Sequence, residues 1–323
     1  MSRFSFALPL YRLIVVLLPT LTFCTTVTSE EVNRVSSNYS FTNSSSNSSI
    51  GFKQNVTVPP IPEKADFAGE EVPLHYFDVR ESLIREVTSL SYFHGTMLYI
   101  MQLDNRYGSE IKSILIEEGV PEDLYYICIA ESGLQPVVSP AGAAGYWQFL
   151  PGTAREYGLV VDNEVDERYN IQKSTKAAAA YFKKAYSEFG SWAMAAASYN
   201  TGFKNVRYRM DIQSQSNYFD TQFVDETARY LFRALAFKII LNNREIYGFD
   251  IPQEYLYRKL EFYEVTVNGS IDNWSDFARE HNTNFKLIKI YNQWIRANYL
   301  QNRSRRTYIV RVPTPNFRES LLD

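Results

Sequence analysis

The sequence predicts a mainly α-helical protein that ends in a small β-α-α-β module. Apolar residues recur at helical spacing from about residue 73 to 254, and no alternating strand pattern of any length interrupts them. Residues 261–313 differ, because two β-rich runs with alternation enclose two short helical stretches. The 323 residues are 45% hydrophobic and 15% aromatic, so most of the chain can bury a sizeable core.

The first 29 residues predict a secretory signal peptide. Two arginines precede an apolar run, Leu13 to Phe23, that is short for a membrane-spanning helix, and small residues at 27–29 offer a cleavage site. The alternatives are a lipoprotein signal with Cys24 as the lipidated residue, although Phe23 is bulky for the position before it, and an uncleaved anchor. We therefore expect an exported protein of the periplasm or cell envelope, with membrane anchoring as the alternative.

The next segment, residues 30–72, predicts a linker. It is rich in Ser, Asn and Thr, with "TNSSSNSS" at 42–49, and such a composition cannot build a core. We therefore expect the whole chain to divide into five segments. They are a signal peptide (1–29), the linker (30–72), a helical domain (73–258), the C-terminal module (259–315) and a tail (316–323).

Start and stop signals place the helices of the helical domain in order. Asp78 is suited to cap the first helix, and Gly119 can end the second. Pro121 stands at a first-turn position, with acidic residues beside the positive end of the helix. Ser174 can cap a later helix that Gly190 ends. Two further helical stretches follow, "SWAMAAASYN" and "ETARYLFRALAFKIILNN".

The C-terminal module carries its own strands and its own aromatic core candidates, which are Trp274, Phe277 and Trp294. We therefore expect it to fold on its own. Composition excludes several function classes for the chain as a whole. The net charge of −3 without a clustered basic face argues against nucleic-acid binding. Two cysteines give no disulfide framework. The three histidines are widely spaced and HExxH is absent, so we expect no metal and no cofactor.

Glu131 is the one acidic residue of residues 129–149, a stretch that contains no Asp, Lys, Arg or His. Leu124, Ile127, Cys128 and Glu131 share one helical face, and Gly133 follows in the position of a helix end. Burial and the negative end of the helix both favour a protonated carboxyl, and a glutamic acid that is neutral near pH 7 can act as a general acid. The alternative is a glutamate that pairs with a buried arginine. Cys128 faces inward and is expected in the core rather than as a nucleophile.

Three further motifs accompany Glu131. "GAAGYWQF" (142–149) is a glycine-hinged turn with one amide, Gln148. "ASYN" (197–200) closes a helix, and "ETARY" (226–230) sets Glu226 and Tyr230 four residues apart on one helical face. Each motif alone also fits an ordinary structural explanation: a tight loop, a core tyrosine beside a helix end, or a first-turn glutamate.

The order and spacing of these motifs resemble a known family. E-S-G, G-x-x-G-x-x-Q-F, A-x-Y-N-x-G and E-T-x-x-Y resemble the lytic murein transglycosylases with a goose-type-lysozyme-like catalytic domain, the membrane-bound lytic murein transglycosylase D group in particular. The resemblance covers roughly residues 75–250. Residues 261–313 are similar to a LysM module, but the usual Gly-Asp-Thr stretch reads Gly269-Ser270-Ile271-Asp272 here, which puts glycan binding by this module in doubt.

The resemblance implies a helical lysozyme-like fold and a peptidoglycan lytic transglycosylase. Glu131 would protonate the glycosidic oxygen between MurNAc and GlcNAc, the substrate's N-acetyl group would assist, and the MurNAc 6-hydroxyl would close a 1,6-anhydro ring. The motif residues would bind the glycan: Ser132 and Gln148 would hold the muramoyl sugar, Tyr199, Asn200 and Tyr230 would shape the cleft, and Glu226 would fix helices or contact the glycan.

The partners implied are peptidoglycan glycan strands, and an association with the outer membrane is a further expectation. Two alternatives stay open. One is a goose-type-lysozyme-like hydrolase, in which water replaces the 6-hydroxyl. The other is a non-catalytic peptidoglycan-binding anchor, although Glu131, Gln148, Tyr199 and Asn200 are all retained.

Overall fold

The computed structural model describes residues 57–319, so the predicted signal peptide and most of the predicted linker lie outside the described residues. The described part is mainly helical, which confirms the predicted fold class. Its helices are α1 (Phe77–Ser91), α2 (His94–Glu117), α3 (Tyr125–Ser132), α4 (Pro151–Glu156), α5 (Ile171–Phe189), α6 (Trp192–Thr201), α7 (Phe203–Gln213), α8 (Asp225–Asn242), α9 (Trp274–Glu280) and α10 (Phe285–Tyr291). Its strands are β1 (Ala65–Phe67), β2 (Glu70–Val72), β3 (Phe262–Val267) and β4 (Tyr308–Pro313).

The helices from α1 to α8 form the helical body, and helix α8 is at its centre. It packs against α1, α3 and α6, and buried residues occur on most of its faces, as in a helix that neighbours surround. The core around it is built from fully buried side chains such as Leu83, Trp147, Phe182 and Leu231. None of the helices within residues 57–319 is long and apolar enough to cross a membrane.

The hairpin of β1 and β2 ties three helices together. Lys238 of α8 donates from Nζ to Asp66 Oδ2 in β1 (2.9 Å) and to Asp123 Oδ2 just before α3 (2.7 Å). Glu70 in β2 accepts from Ser191 Oγ (2.8 Å) and from backbone N–H groups at the start of α6. The end of the predicted linker is therefore an ordered hairpin, whose Phe67 and Val72 are buried in the core.

The C-terminal module has the predicted β-α-α-β order. Strands β3 and β4 pair antiparallel, with Phe262 opposite Pro313, and α9 and α10 lie between them in the chain. Its core contains Trp274, Phe277, Ile288 and Trp294, which include the three aromatic residues expected there.

The module does not bury its core alone, and its folding on its own stays a prediction. Ala144, Val165 and Tyr169 of the helical body belong to the same hydrophobic cluster. Asp166 N donates to Trp294 O (2.9 Å), and the backbone of Val165 bridges to Ile295. The two parts are thus packed on each other, while the boundary between residues 258 and 259 stays a prediction.

Candidate active site

The short helix α3 presents Glu131 in its last turn. The helix ends at Gly133, whose φ of +59° is left-handed and whose N–H donates to Ile129 O (2.8 Å). Glycine adopts this conformation without the Cβ penalty, so it ends the helix one residue after the glutamate, at Ser132. The predicted helical face is correct, because Leu124, Ile127 and Cys128 are fully buried and Glu131 is partly buried beside them.

The carboxyl of Glu131 lies against helix α8. Tyr230 donates its hydroxyl proton to Glu131 Oε1. Burial raises the pKa of Glu131 to about 7; the hydrogen bond from Tyr230 opposes the rise, the charge of Glu226 adds to it, and the charge of Arg233 opposes it. The burial expected from the sequence is the largest cause. A substantial fraction of Glu131 is therefore protonated near neutral pH.

Helix α8 supplies three groups to this environment from one face. Glu226, Tyr230 and Arg233 follow at i, i+4 and i+7, so they lie along the same side of the helix. Glu226 is exposed in the first turn, whereas Tyr230 is 4% exposed. Arg233 was not among the residues predicted from the sequence, and its spacing of three from Tyr230 is the signal that places it on the same helical face.

Arg233 is not the salt-bridge partner that the structural alternative for Glu131 requires. Its Nε lies 3.5 Å from Oε2 of Glu86, which is 2% exposed and also pairs with Arg85 and Arg229. Within the described residues Glu131 makes no ion pair. The buried acid that α8 neutralises is Glu86, and Glu131 is left with a neutral hydroxyl as its closest partner.

The loop of residues 142–149 forms the next wall, and its backbone is fixed by close packing. Gly142 and Gly145 have φ values of +82° and +78°. A Cβ built on Gly145 would lie 1.9 Å from Arg168 O, so only glycine fits there. Gln148 has φ +50°, which is uncommon for a residue with a side chain. Its amide Nε2 donates to Gly145 O (2.8 Å) and Val137 O (3.1 Å).

Arg168 closes the same loop from behind. Its Nη1 donates to Gly142 O and to Phe149 O, both at 2.9 Å, and so joins the two ends of the loop. Its Nη2 and Nε bind the carboxylate of Asp166 at 2.7 and 2.9 Å. This buried fork lies directly beside the backbone contact between Asp166 and Trp294 of the C-terminal module.

Ser132 connects helix α3 to the loop. It is 8% exposed, and its Oγ donates to Tyr146 O (2.7 Å), while Cys128 Sγ lies 3.3 Å from the same carbonyl. The hydroxyl expected to hold the muramoyl sugar is thus engaged in fixing the loop. Cys128 is a free, fully buried thiol, and burial raises its pKa, as suits a core residue.

Helix α6 brings Tyr199 and Asn200 to the same place. Tyr199 donates from its hydroxyl to Trp147 O (2.7 Å), and its ring stacks on Phe182 with centroids 4.9 Å apart. Burial raises the pKa of Tyr199, and the charge of Glu131 adds to this rise, so the two side chains lie close together. Asn200 Oδ1 accepts from Thr227 Oγ1 (2.6 Å) at the start of α8.

The predicted site residues therefore come together from four segments: the end of α3, the loop 142–149, the end of α6 and the start of α8. The arrangement offers one carboxyl that can give and recover a proton near pH 7, beside the aromatic side chains of Tyr199 and Tyr230. No group of three His, Cys, Asp or Glu side chains within residues 57–319 is arranged to hold a metal ion.

Comparison with known proteins agrees with this geometry. Residues 110–221 match the family described as "Transglycosylase SLT domain". This chain carries an SLT transglycosylase domain. The matched range of the SLT domain includes Glu131, Gln148, Tyr199 and Asn200 and stops short of α8. Residues 263–316 match "Soluble lytic transglycosylase C-terminal LysM-like domain", which agrees with the predicted module.

Curated relatives of this chain include two proteins named "Membrane-bound lytic murein transglycosylase D". They come from Escherichia coli strain K12 and from Escherichia coli O6:H1 strain CFT073. Each is 28% identical over 195 residues, which cover 58% of this chain and 42% of the relative. The chain therefore matches less than half the length of these relatives.

A solved structure that is similar to this chain is the 70 kDa soluble lytic transglycosylase SLT70 from Escherichia coli. The TM-score is 0.39 at 18% sequence identity, and the match covers 58% of this chain and 32% of that chain.

Proposed function

We propose that this chain is a peptidoglycan lytic transglycosylase in which Glu131 is the only group that transfers protons. The observation that supports this most directly is the state of that carboxyl. It is desolvated, its pKa is about 7, and its closest partner is the hydroxyl of Tyr230. A general acid works best when its pKa is near the pH of the reaction.

The reaction follows from a single acid that is used twice. Protonated Glu131 gives its proton to the oxygen of the β-1,4 bond between MurNAc and GlcNAc, and the bond from the MurNAc anomeric carbon to that oxygen breaks. The carbonyl oxygen of the MurNAc N-acetyl group stabilises the anomeric carbon. The Glu131 carboxylate then removes the proton of the MurNAc 6-hydroxyl, whose oxygen bonds to the anomeric carbon. The product carries a 1,6-anhydro ring, and no water is consumed.

The surroundings of Glu131 fit this use of one carboxyl. Most glycosidases need a second carboxylate near the scissile bond. Glu226 is the acidic residue whose charge acts on Glu131, and it is exposed in the first turn of α8. Its charge raises the pKa of Glu131 and so favours the proton-loaded acid, a role that requires no direct part in the chemistry.

A peptidoglycan substrate implies a location at which the protein can reach the cell wall. The relatives named above carry the words "membrane-bound" and "murein" in their names. Together with the signal peptide predicted at residues 1–29, this supports a location in the cell envelope, with peptidoglycan glycan strands as partner. Attachment to a membrane follows if either the lipoprotein alternative at Cys24 or the uncleaved anchor is correct, and the lipoprotein alternative is the one that fits the outer membrane.

The test is mass spectrometry of muropeptides released from purified peptidoglycan by the full chain. We expect anhydro-muramoyl ends, which are one water lighter than the reducing ends left by a hydrolase. Glu131→Gln should lower turnover by about 10²- to 10⁴-fold or more, since an amide can neither donate nor recover the proton. The matched control is Glu122→Gln, which changes an exposed carboxyl in the turn before α3.

Two results would reject parts of this function. Reducing ends in place of anhydro ends would mean that water is the nucleophile, as in the goose-type-lysozyme-like alternative. Binding to peptidoglycan without release of any muropeptide by the unaltered chain would favour the non-catalytic anchor.

A further inference from the structure

A cavity of about 230 Å³ lies between the helical body and the C-terminal module, away from Glu131. Its walls come from α2, from the start of α5, from the segment before β3 and from the α10 and β4 side of the module. None of the seven candidate site residues lines it. A cavity of this volume is at the small end for a binding site, so it suits a fragment such as one or two amino-acid residues.

The charges around this interdomain cavity are unbalanced. Four cationic side chains and two carboxylates line it, in a chain whose net charge is −3. Arg311 pairs with Glu110, and Lys173 pairs with Glu167. The remaining two cations, Arg106 and Lys259, form no ion pair with any carboxylate of the described residues.

The contacts of Arg106 fix its side chain and leave some of its guanidinium N–H groups available to a ligand. Its Nε donates to Arg258 O (3.0 Å), and its guanidinium lies over the ring of Tyr257 at 5.0 Å. Such stacking fixes the plane of the guanidinium, whose remaining N–H groups match the two oxygens of a carboxylate. Lys259 is exposed and reaches the cavity from the segment before β3.

The other walls are largely apolar and aromatic. Phe262 and Tyr291 line the module side, and the rings of Trp294 and Tyr308 stack with centroids 5.3 Å apart. A small ion such as phosphate would leave these surfaces without a partner, and two carboxylates nearby would repel a dianion. A neutral sugar would leave two cations unmatched. An organic group with a single charged carboxylate at one end fits both kinds of wall.

One residue, Tyr146, connects the interdomain cavity to the loop 142–149 beside Glu131. Tyr146 lines the cavity and donates from its hydroxyl to Gln293 Oε1 of the module (2.9 Å). Its backbone carbonyl accepts the hydrogen bond from Ser132, the residue after Glu131. The same residue therefore forms a wall of the cavity and a contact at the end of α3.

We propose that the interdomain cavity binds the carboxylate-bearing peptide stem of peptidoglycan, through Arg106 and Lys259, while the glycan occupies the site at Glu131. This inference rests on the proposed function for the identity of the polymer. The site would let the enzyme distinguish glycan that carries peptides with free carboxylates from glycan that has lost them.

The test is calorimetric titration of the full chain with the capped dipeptide N-acetyl-L-alanyl-D-isoglutamine, which carries a single carboxylate. We expect binding of the dipeptide, and binding at least about tenfold weaker for the same dipeptide with that carboxylate amidated, because a charge-assisted hydrogen bond is lost. Lys259→Met should weaken binding of the dipeptide with its free carboxylate about tenfold, and Arg106→Met is a second variant for the same measurement. Lys286→Met removes an exposed lysine of the same module outside the cavity and should change nothing.

Further titrations separate the alternatives. Inorganic phosphate that binds as tightly as the dipeptide would make this a general anion site and overturn the proposal. Displacement of the dipeptide by peptide-free chitotetraose would place the peptide in the glycan cleft and overturn it as well. Loss of dipeptide binding in Glu131→Gln would have the same meaning.

The dipeptide titration and the muropeptide assay together distinguish failure of this site from failure of the proposed function. Anhydro ends released by a chain that does not bind the dipeptide would overturn the peptide site alone. Dipeptide binding by a chain that releases no muropeptide would overturn the proposed function and leave the peptide site standing.

Discussion

At the scale of single residues, the pKa of Glu131 results from opposing contributions that are all visible around it. Burial is the largest and raises the pKa, Glu226 adds to it, and Tyr230 and Arg233 act against it. The acid is thus adjusted by charges on the same face of α8, one of each sign. Because these charges lie on one rigid helix, a change in either should be read directly in the pH dependence of activity.

We predict that Arg233→Met moves the alkaline limb of the pH profile to higher pH. Under the proposed mechanism Glu131 must be protonated in the free enzyme, so kcat/KM should fall as pH rises through about 7. Removing a cation that lowers the pKa raises it further, and activity then persists to higher pH. The measurement is kcat/KM on soluble peptidoglycan fragments between pH 5 and 9.

Arg229→Met is the matched control for Arg233→Met. Arg229 lies on the same helix and pairs with the same buried Glu86, but its charge is not among those that act on Glu131. Its limb should stay where it is in the unaltered chain. A limb that moves to lower pH in Arg233→Met, or equally in both variants, would show that the charge of Arg233 does not control the acid.

The sequence could predict Glu131 and Tyr230, because both stand at helical spacing that sets them on an inward face. It could not predict that Tyr230 would donate to Glu131, since that contact depends on how α3 and α8 cross. For Ser132 the family resemblance implies a sugar contact, which stays a prediction, and the structure adds that its hydroxyl donates to Tyr146 O. A residue's neighbour in the chain is easier to predict than its partner across the fold.

At the scale of elements, the loop 142–149 is the part that depends most on its surroundings. Its glycines, its left-handed Gln148 and the two hydrogen bonds from Arg168 all restrict its backbone. The sequence showed the glycine hinges but gave no indication of Arg168 and Asp166, because a buried ion pair in a short turn looks like ordinary surface charge.

We predict that Gly145→Ala lowers the free energy of unfolding far more than Gly142→Ala. Both glycines have positive φ, so both substitutions carry the strain of a left-handed alanine. At Gly145 the new Cβ would in addition meet Arg168 O, whereas at Gly142 nothing lies within 4 Å. We expect a loss of roughly 3 kcal/mol or more for Gly145→Ala and about 1 kcal/mol for Gly142→Ala, measured by urea unfolding. Equal losses would mean that the loop can move away from Arg168.

At the scale of the whole molecule, the C-terminal module is a structural support of the helical body. The sequence predicted its β-α-α-β order and its aromatic core, but not the part of that core that Ala144, Val165 and Tyr169 provide. Single apolar residues in loops and short turns carry no signal for a partner more than a hundred residues away. This is why the pattern suggested a separate unit.

We predict that ending the chain after Glu254 lowers both thermal stability and turnover on soluble fragments. The truncation exposes the three shared core residues and removes the Trp294 carbonyl that accepts from Asp166 N. Asp166 orients Arg168, which in turn closes the loop beside Glu131. The measurements are the melting temperature and the rate of muropeptide release. An unchanged melting temperature with full turnover would show that the helical body and its loop are complete without the module.

The contact between Asp166 and Trp294 also has a consequence for the order in which the protein acquires activity. A chain that is synthesised from its N-terminus contains Glu131 and its loop long before Trp294 is added. The hydrogen bond from Asp166 N to Trp294 O cannot form until then, and contacts distant in sequence form late in folding. If the proposed function is correct, cleavage competence should therefore arise only after the C-terminal module has been synthesised, and copies that stop before Trp294 should be inactive.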